Sequence, residues 1–165
     1  MLPEQHVVNG RDGVMKKLLL AVDGSEHSDR AADLAGKLSK GFGAKVDVLN
    51  VVSGSGLVSP GMHPYVSGYT QLEDVGTARQ ALLESAGATL VTTAARRVET
   101  AGGTVHNEEV IVGDPADEIA NLARRANSDC IVMGRRGLGD IRGLLLGSVS
   151  HRVSQMVDKT LITTG

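Results

Sequence analysis

The residues best placed to do chemistry are glycines and arginines late in the chain. Gly134-Arg135-Arg136-Gly137 is followed by nine residues and then Gly147-Ser148. A phosphate needs backbone N–H groups turned toward it and no side chains on its approach path, and glycine meets both conditions. Gly147 and Ser148 stand where a helix carrying Val149, Val153 and Met156 begins, so free first-turn amides and the positive end of the helix dipole face the same place. The Ser148 hydroxyl can cap that helix or donate to an anion, not readily both. Residues 134–152 hold Arg135, Arg136, Arg142 and Arg152 against Asp140, a local charge of +3 in a chain of −2. The plain alternative is a solvated arginine face with glycines as loop punctuation.

Other nucleotide signatures fail. There is no GxxxxGK[ST], and residues 134–152 contain no lysine. Gly137-Leu138-Gly139 opens like GxGxxG, but the next glycine, Gly143, comes one place late and the loop follows the fourth strand of the chain, which disfavours a nicotinamide cofactor. Asp23, directly after the first strand, would face the crevice and accept from ribose hydroxyls or the adenine amino group; its alternative is to cap the next helix. Val51 is either an apolar wall for a base or core packing. His6, His27, His63, His106 and His151 show no ligand-pair spacing, so no protein-built metal site is indicated. A divalent ion, Mg2+ or Mn2+, would come with a triphosphate, held by phosphate oxygens and water. No GxSxG elbow or paired-carboxylate arrangement is identifiable, and Glu108-Glu109 reads as the exposed charge of a strand.

The elements that must position these residues alternate strictly. Residues 17–22 form a continuous apolar run bounded by charge and Gly, as a strand buried on both faces requires. Ser25 or Ser28 caps a helix with Ala31, Leu34, Ala35 and Leu38 at helical spacing, stopped by Gly41 and Gly43. Residues 44–52 form the second strand. Residues 53–73, with Pro60, Pro64, Tyr65 and Tyr69, show neither period and predict a long loop. Residues 74–101 carry Ala78, Leu82, Ala86, Leu90, Ala94 and Val98 at steps of four, a long helix tolerating Gly87. A strand over 104–112 follows, then Asp114-Pro115 as N-cap and first helical residue of a helix to about Asn127, a strand over 130–133, the glycine-rich loop, the helix from Ser148 and a strand over 160–164. Five strands and four helices predict an α/β fold, an open five-stranded parallel sheet with helices on both faces. The fold expected is Rossmann-like, with strand order 3-2-1-4-5. Ligands then lie beyond the carboxyl ends of the strands where the winding reverses. Residues 1–15 read as a flexible N-terminal extension and 16–165 as one nucleotide-binding domain.

Composition narrows the function classes. The chain has 165 residues, 41% hydrophobic and 22% charged, which suits one globular domain, and its charge of −2 gives no global field for nucleic acid or an anionic membrane. The only aromatics are Phe42, Tyr65 and Tyr69, too few to stack single-stranded bases. The apolar run at Leu18–Val22 ends at Asp23, too short for an export signal, and no segment reaches the ~20 residues that span a bilayer. Cys130 sits in an apolar run and reads as a buried structural thiol in a reducing compartment, so a cytoplasmic location is expected.

On these residues the chain resembles the universal stress protein family over residues 16–163. The likeness is carried by Leu19-Leu20-Ala21-Val22-Asp23-Gly24-Ser25, Leu49-Asn50-Val51-Val52, Val112-Gly113-Asp114-Pro115, Ile131-Val132-Met133-Gly134 and Leu146-Gly147-Ser148-Val149-Ser150. The G-x2-G-x9-G-S spacing is similar to the family's ATP-binding branch. The resemblance implies that Ala21, Asp23 and Val51 surround adenine and ribose, that Met133 and Gly134 contact ribose, and that Arg136, Gly137, Gly147, Ser148 and Val149 hold phosphates. Val22 and Ser150 complete the nucleotide-binding set. It further implies a stress-response or signalling module that binds ATP or a related AMP, ADP or cyclic AMP, and a homodimer paired through the last strand. No evident base or transition-state lysine is present, which favours binding over catalysis. Two other readings of the pocket are a slow ATPase or phosphotransferase and a cyclic AMP binder. The chain's end, Lys159-Thr160-Leu161-Ile162-Thr163-Thr164, is more polar than the family's apolar, proline-containing edge, though its N–H and C=O groups remain able to pair across a twofold axis.

Overall fold

Leu18, Leu19 and Leu20 are fully buried and divide between two helical layers, which is what makes the strand that carries them the middle of a sheet. In the computed structural model, which describes residues 15–53, 69–138 and 147–165, the elements run β1 (Lys17–Ala21), α1 (Glu26–Phe42), β2 (Lys45–Ser53), α2 (Tyr69–Thr100), β3 (Thr104–Gly113), α3 (Pro115–Arg125), β4 (Cys130–Gly134), α4 (Ser148–Met156) and β5 (Thr160–Thr164). All strand pairs are parallel, in the order β3-β2-β1-β4-β5. The expected α/β architecture and strand order are those observed. The chain winds outward from β1 to β3 and then returns to the other side of β1, so the reversal lies between β1 and β4, where Ala21 stands beside Met133.

One core joins Leu18, Leu20, Val46, Val48 and Val132 to α1 and α2; the other joins Leu19, Ala21, Leu49, Ile131 and Met133 to α3 and α4. Local chemistry starts and stops the helices. Ser25 accepts from Ser28 N at 3.2 Å at the head of α1, and Gly43, at φ 68°, ends it. Asp114 accepts from the amides of Ala116 and Asp117, with Pro115 in the first turn of α3 as expected. At the opposite end of the sheet, Asp129 accepts from Lys16 N at 2.7 Å and Lys17 N at 2.9 Å, joining the starts of β4 and β1. Cys130 is fully buried, and that burial pushes its thiol up to about 11, a structural side chain as read from its setting.

Two expectations need correction. The long loop was expected to reach residue 73, but α2 already begins at Tyr69; residues 54–68 lie outside the described structure. The step-of-four stripe on α2 also fails at its N-terminal end: Leu82 is 72% exposed and Ala86 is exposed, whereas Gly87, Val91, Ala94, Ala95 and Val98 are buried. A step of four overruns the ~3.6-residue turn, so successive positions drift around the helix and leave the core face. Gly87 is not merely tolerated. A Cβ there would fall 2.7 Å from Asn50 Oδ1 and 2.8 Å from a Val110 methyl, so the residue lets α2 lie close against β2 and β3. The expected N-terminal extension, apart from Met15, lies outside the described residues.

Candidate nucleotide site

A cavity of about 310 Å³ opens beyond the carboxyl ends of β1 and β4, at the reversal of the winding. Each of the twelve residues singled out from the sequence lines it. Ala21, Val22 and Asp23 come from the end of β1, Val51 from β2, Met133 and Gly134 from β4, Arg136 and Gly137 from the loop after it, and Gly147, Ser148, Val149 and Ser150 from the head of α4. Sequence reasoning missed Leu49, Ser53, Pro115, Ile119 and Leu138, and it counted Arg135 only in the local charge. Leu49 shares the face of Val51 two residues on, and Ile119 lies one turn beyond Pro115. That parity was available as a signal, whereas the approach of α3 to the pocket was not.

The cavity has two unlike poles. Ala21, Leu49, Ile119 and Met133 are buried and apolar, with the half-buried Val51 packed beside them, and together they make one side of the cavity an apolar slot. Val51 therefore serves both as wall and as core. Val22 also belongs to the core that faces α1 and α2, and its N–H donates to Leu49 O at 2.9 Å.

The other pole is the head of α4. Gly147 is its N-cap, with no side-chain cap hydrogen bond and no acidic residue in the first turn, whereas α1 and α3 carry both. Ser148, exposed in the first helical position, does not cap, so its hydroxyl is not spent on the helix start. Ser150 is spent otherwise: its buried hydroxyl donates to Arg135 O at 2.9 Å and Gly147 O at 3.1 Å, which closes the two ends of the glycine-rich loop on each other.

Asp23 Oδ1 accepts from Ser25 N at 3.0 Å, so the residue does order the turn into α1. Its other oxygen lies 2.5 Å from where a Cβ at Gly137 would stand. The glycine-rich loop is thus adjacent to Asp23, and the missing side chain at 137 is what lets carboxylate and loop share the space. Ser25 Oγ also donates to Arg136 O at 3.3 Å.

Arg152, counted above in the local positive charge, is not available to a phosphate. It pairs with Asp114 at 2.8 Å and Asp117 at 3.2 Å, joining α4 to α3. The Arg152 guanidinium, with the Asp117 and Ala116 amides, holds the Asp114 carboxyl below the usual range, and Asp114 in turn raises Arg152. Arg142 and Asp140 lie outside the described residues. Glu108 accepts from Thr92 Oγ1 and Glu109 faces Arg125 at 3.8 Å, in keeping with exposed strand charge. Among the described residues no group of three His, Cys, Asp or Glu side chains could hold a metal ion.

The family model for the universal stress protein family matches residues 15–163. The chain belongs to the universal stress protein family. The universal stress protein YxiE of Bacillus subtilis is 31% identical over 144 residues, covering 87% of this chain and 94% of that protein. Among solved structures, the hypothetical protein MJ0577 superposes with a TM-score of 0.76 at 22% identity, over 92% of this chain and 96% of the other. A universal stress protein in complex with cAMP superposes at 0.61 with 24% identity, over 91% and 96%. At these identities the structural likeness shows the shared fold.

Proposed function

We propose that this universal stress protein binds an adenine nucleotide, ATP first among them, in the cavity between β1 and β4, and works as a stress-response or signalling module without efficient catalysis. The observation that carries the reading is the head of α4, without a side-chain cap hydrogen bond, opening onto an apolar-walled cavity at the reversal point of the sheet. The apolar slot of Leu49, Val51, Ile119 and Met133 would take the base. The first-turn amides of α4, Ser148 Oγ and the arginines of the loop would take the phosphates. Asp23, a carboxylate, repels phosphate and belongs with the ribose hydroxyls; a Mg2+ or Mn2+ ion carried on the phosphates would offset its charge. Among the described residues no lysine lines the cavity, and its one carboxylate, Asp23, is engaged with the Ser25 amide, an arrangement that favours binding over phosphoryl transfer.

The related protein solved with cAMP supports an adenine ligand and favours a second reading, cyclic AMP, on the same pocket. Heating the purified protein and identifying the nucleotide released, together with calorimetric titration of ATP and cyclic AMP, separates these. Retained or titrated ATP at micromolar affinity supports the first reading, preference for cyclic AMP the second, and no binding of either at millimolar concentration defeats both. Multiple turnover that tracks the protein through purification and is lost in Gly137→Val would instead support a slow ATPase. Pairing of two copies through β5, which lies at the sheet's edge, is part of the proposal; sedimentation giving a monomer at all accessible concentrations would remove it.

A further inference from the structure

Three elements meet at Arg135, namely β4, α4 and β5, and of these β5 contributes no residue to the cavity. Its amide donates to Thr164 O, at the end of β5, at 2.6 Å. Its carbonyl accepts from Gly147 N at 2.8 Å and from Ser150 Oγ at 2.9 Å, the cap and third residue of α4. Thr164 is in turn tied elsewhere: its hydroxyl donates to His27 O, in the first turn of α1, at 2.7 Å. The next residue, Gly165, lies so close to the Arg135 guanidinium that a Cβ on it would fall 2.8 Å from Arg135 Cζ. Thr164 itself does not line the cavity.

We infer that Thr164 is a positioning residue for the phosphate pole of the site, holding Arg135 so that the cap of α4 is presented to the ligand, and that events at the end of β5 are thereby coupled to nucleotide affinity. The chain of contacts is short and directional. The Thr164 hydroxyl fixes the end of β5 to α1; the Thr164 carbonyl fixes the Arg135 peptide; the Arg135 carbonyl fixes Gly147 and Ser150. The Arg135 N–H and C=O belong to adjacent peptide planes joined at its Cα, and a bond on each plane holds φ and ψ of Arg135, so loosening Thr164 releases one plane and frees the cap to move away from an anion. The apolar slot for the base is built from β1, β2, β4 and α3 and shares none of these bonds. The coupling therefore acts on phosphates and spares the base.

The inference rests on the proposed nucleotide reading but is tested in two independent ways, using Thr164→Val, which keeps the shape and removes the hydroxyl, and Thr164→Ser, which restores it. In the first, affinities for adenosine and ATP are measured by calorimetry. Thr164→Val is expected to lower ATP affinity about five- to tenfold, the loss of one well-placed hydrogen bond, with adenosine changed less than twofold and Thr164→Ser returned to wild type. Equal losses for adenosine and ATP, or unchanged ATP affinity, would overturn it. In the second, hydrogen exchange is followed without ligand. The Gly147 amide should exchange about tenfold faster in Thr164→Val while the amides of β1 keep their wild-type rates. Unchanged Gly147 exchange overturns the coupling even in a protein that binds nucleotide, and a protein that binds none but shows the faster Gly147 exchange keeps the coupling while losing the nucleotide reading.

Discussion

Asp23 and Gly137 are far apart in the chain and share one small volume in the fold. Adding a side chain at 137 forces Asp23 aside or the loop outward, since a Cβ would stand 2.5 Å from its carboxylate oxygen. Gly137→Val is expected to lower ATP affinity at least about tenfold, roughly 1.4 kcal/mol, with little change in Tm because the residue is exposed. Wild-type affinity in a calorimetric titration of this variant would contradict the placement. Cys130 makes the opposite kind of prediction. Buried, with its thiol pushed up to about 11, it should resist iodoacetamide at pH 8 in the native protein and react only after unfolding. At this scale the sequence was readable where a residue acts on its own neighbours, as Asp114 does on the amides of Ala116 and Asp117. It was not readable where the partner comes from another element: the Ser150 hydroxyl is bonded to Arg135 O, and Arg152, counted in the charge facing a phosphate, is bonded to Asp114.

Among the elements, α4 and α2 show what periodicity can and cannot say. The start of α4 was legible because a Gly-Ser pair before an apolar stripe is a local signal. The buried face of α2 was not, because a stripe drawn at steps of four walks off the core, leaving Leu82 in solvent and Val98 fully buried. Leu82→Ser should therefore change stability by no more than about 0.5 kcal/mol, while Val98→Ala should cost about 2 kcal/mol for lost burial and the cavity left behind. Urea unfolding of both variants checks this, and equal losses would mean that α2 is seated differently. The ion pairs joining α3 to α4 are exposed, and such pairs contribute little to stability. Arg152→Ala should lower Tm slightly, by less at high salt, and leave ATP affinity within about twofold; a tenfold loss of ATP affinity would return Arg152 to the phosphate site.

For the molecule as a whole, the architecture was legible because strict alternation of strands and helices admits few topologies, whereas alternation alone leaves more than one strand order open. What alternation could not show is which helix closes the site; that depends on α3 packing across β2, a tertiary choice. Stability should respond to acid in a defined direction. Asp129 is held below the ordinary carboxylate range first by the Lys16 amide and then the Lys17 amide, and Asp114 first by Arg152. Both folded values lie below the unfolded value of about 3.9, so their contribution is complete above that pH and is lost as pH falls through the lower folded values. The urea midpoint should hold between about pH 7 and 5 and drop below about pH 4, with a shallower drop in Asp129→Asn; an identical acid limb in that variant would contradict the assignment.

A micromolar nucleotide site corresponds to about −8 kcal/mol, and ligand at a hundredfold excess over Kd should stabilise the fold by about 2.7 kcal/mol. The most direct test of that site is an amide-resolved NMR titration with ATP. Saturable shifts concentrated at Gly147, Ser148 and Val149 and at the Ala21–Asp23 end of β1 are predicted. No shifts at millimolar ATP, or shifts centred on the α1/α2 face around Asp33 and Arg96, would contradict it.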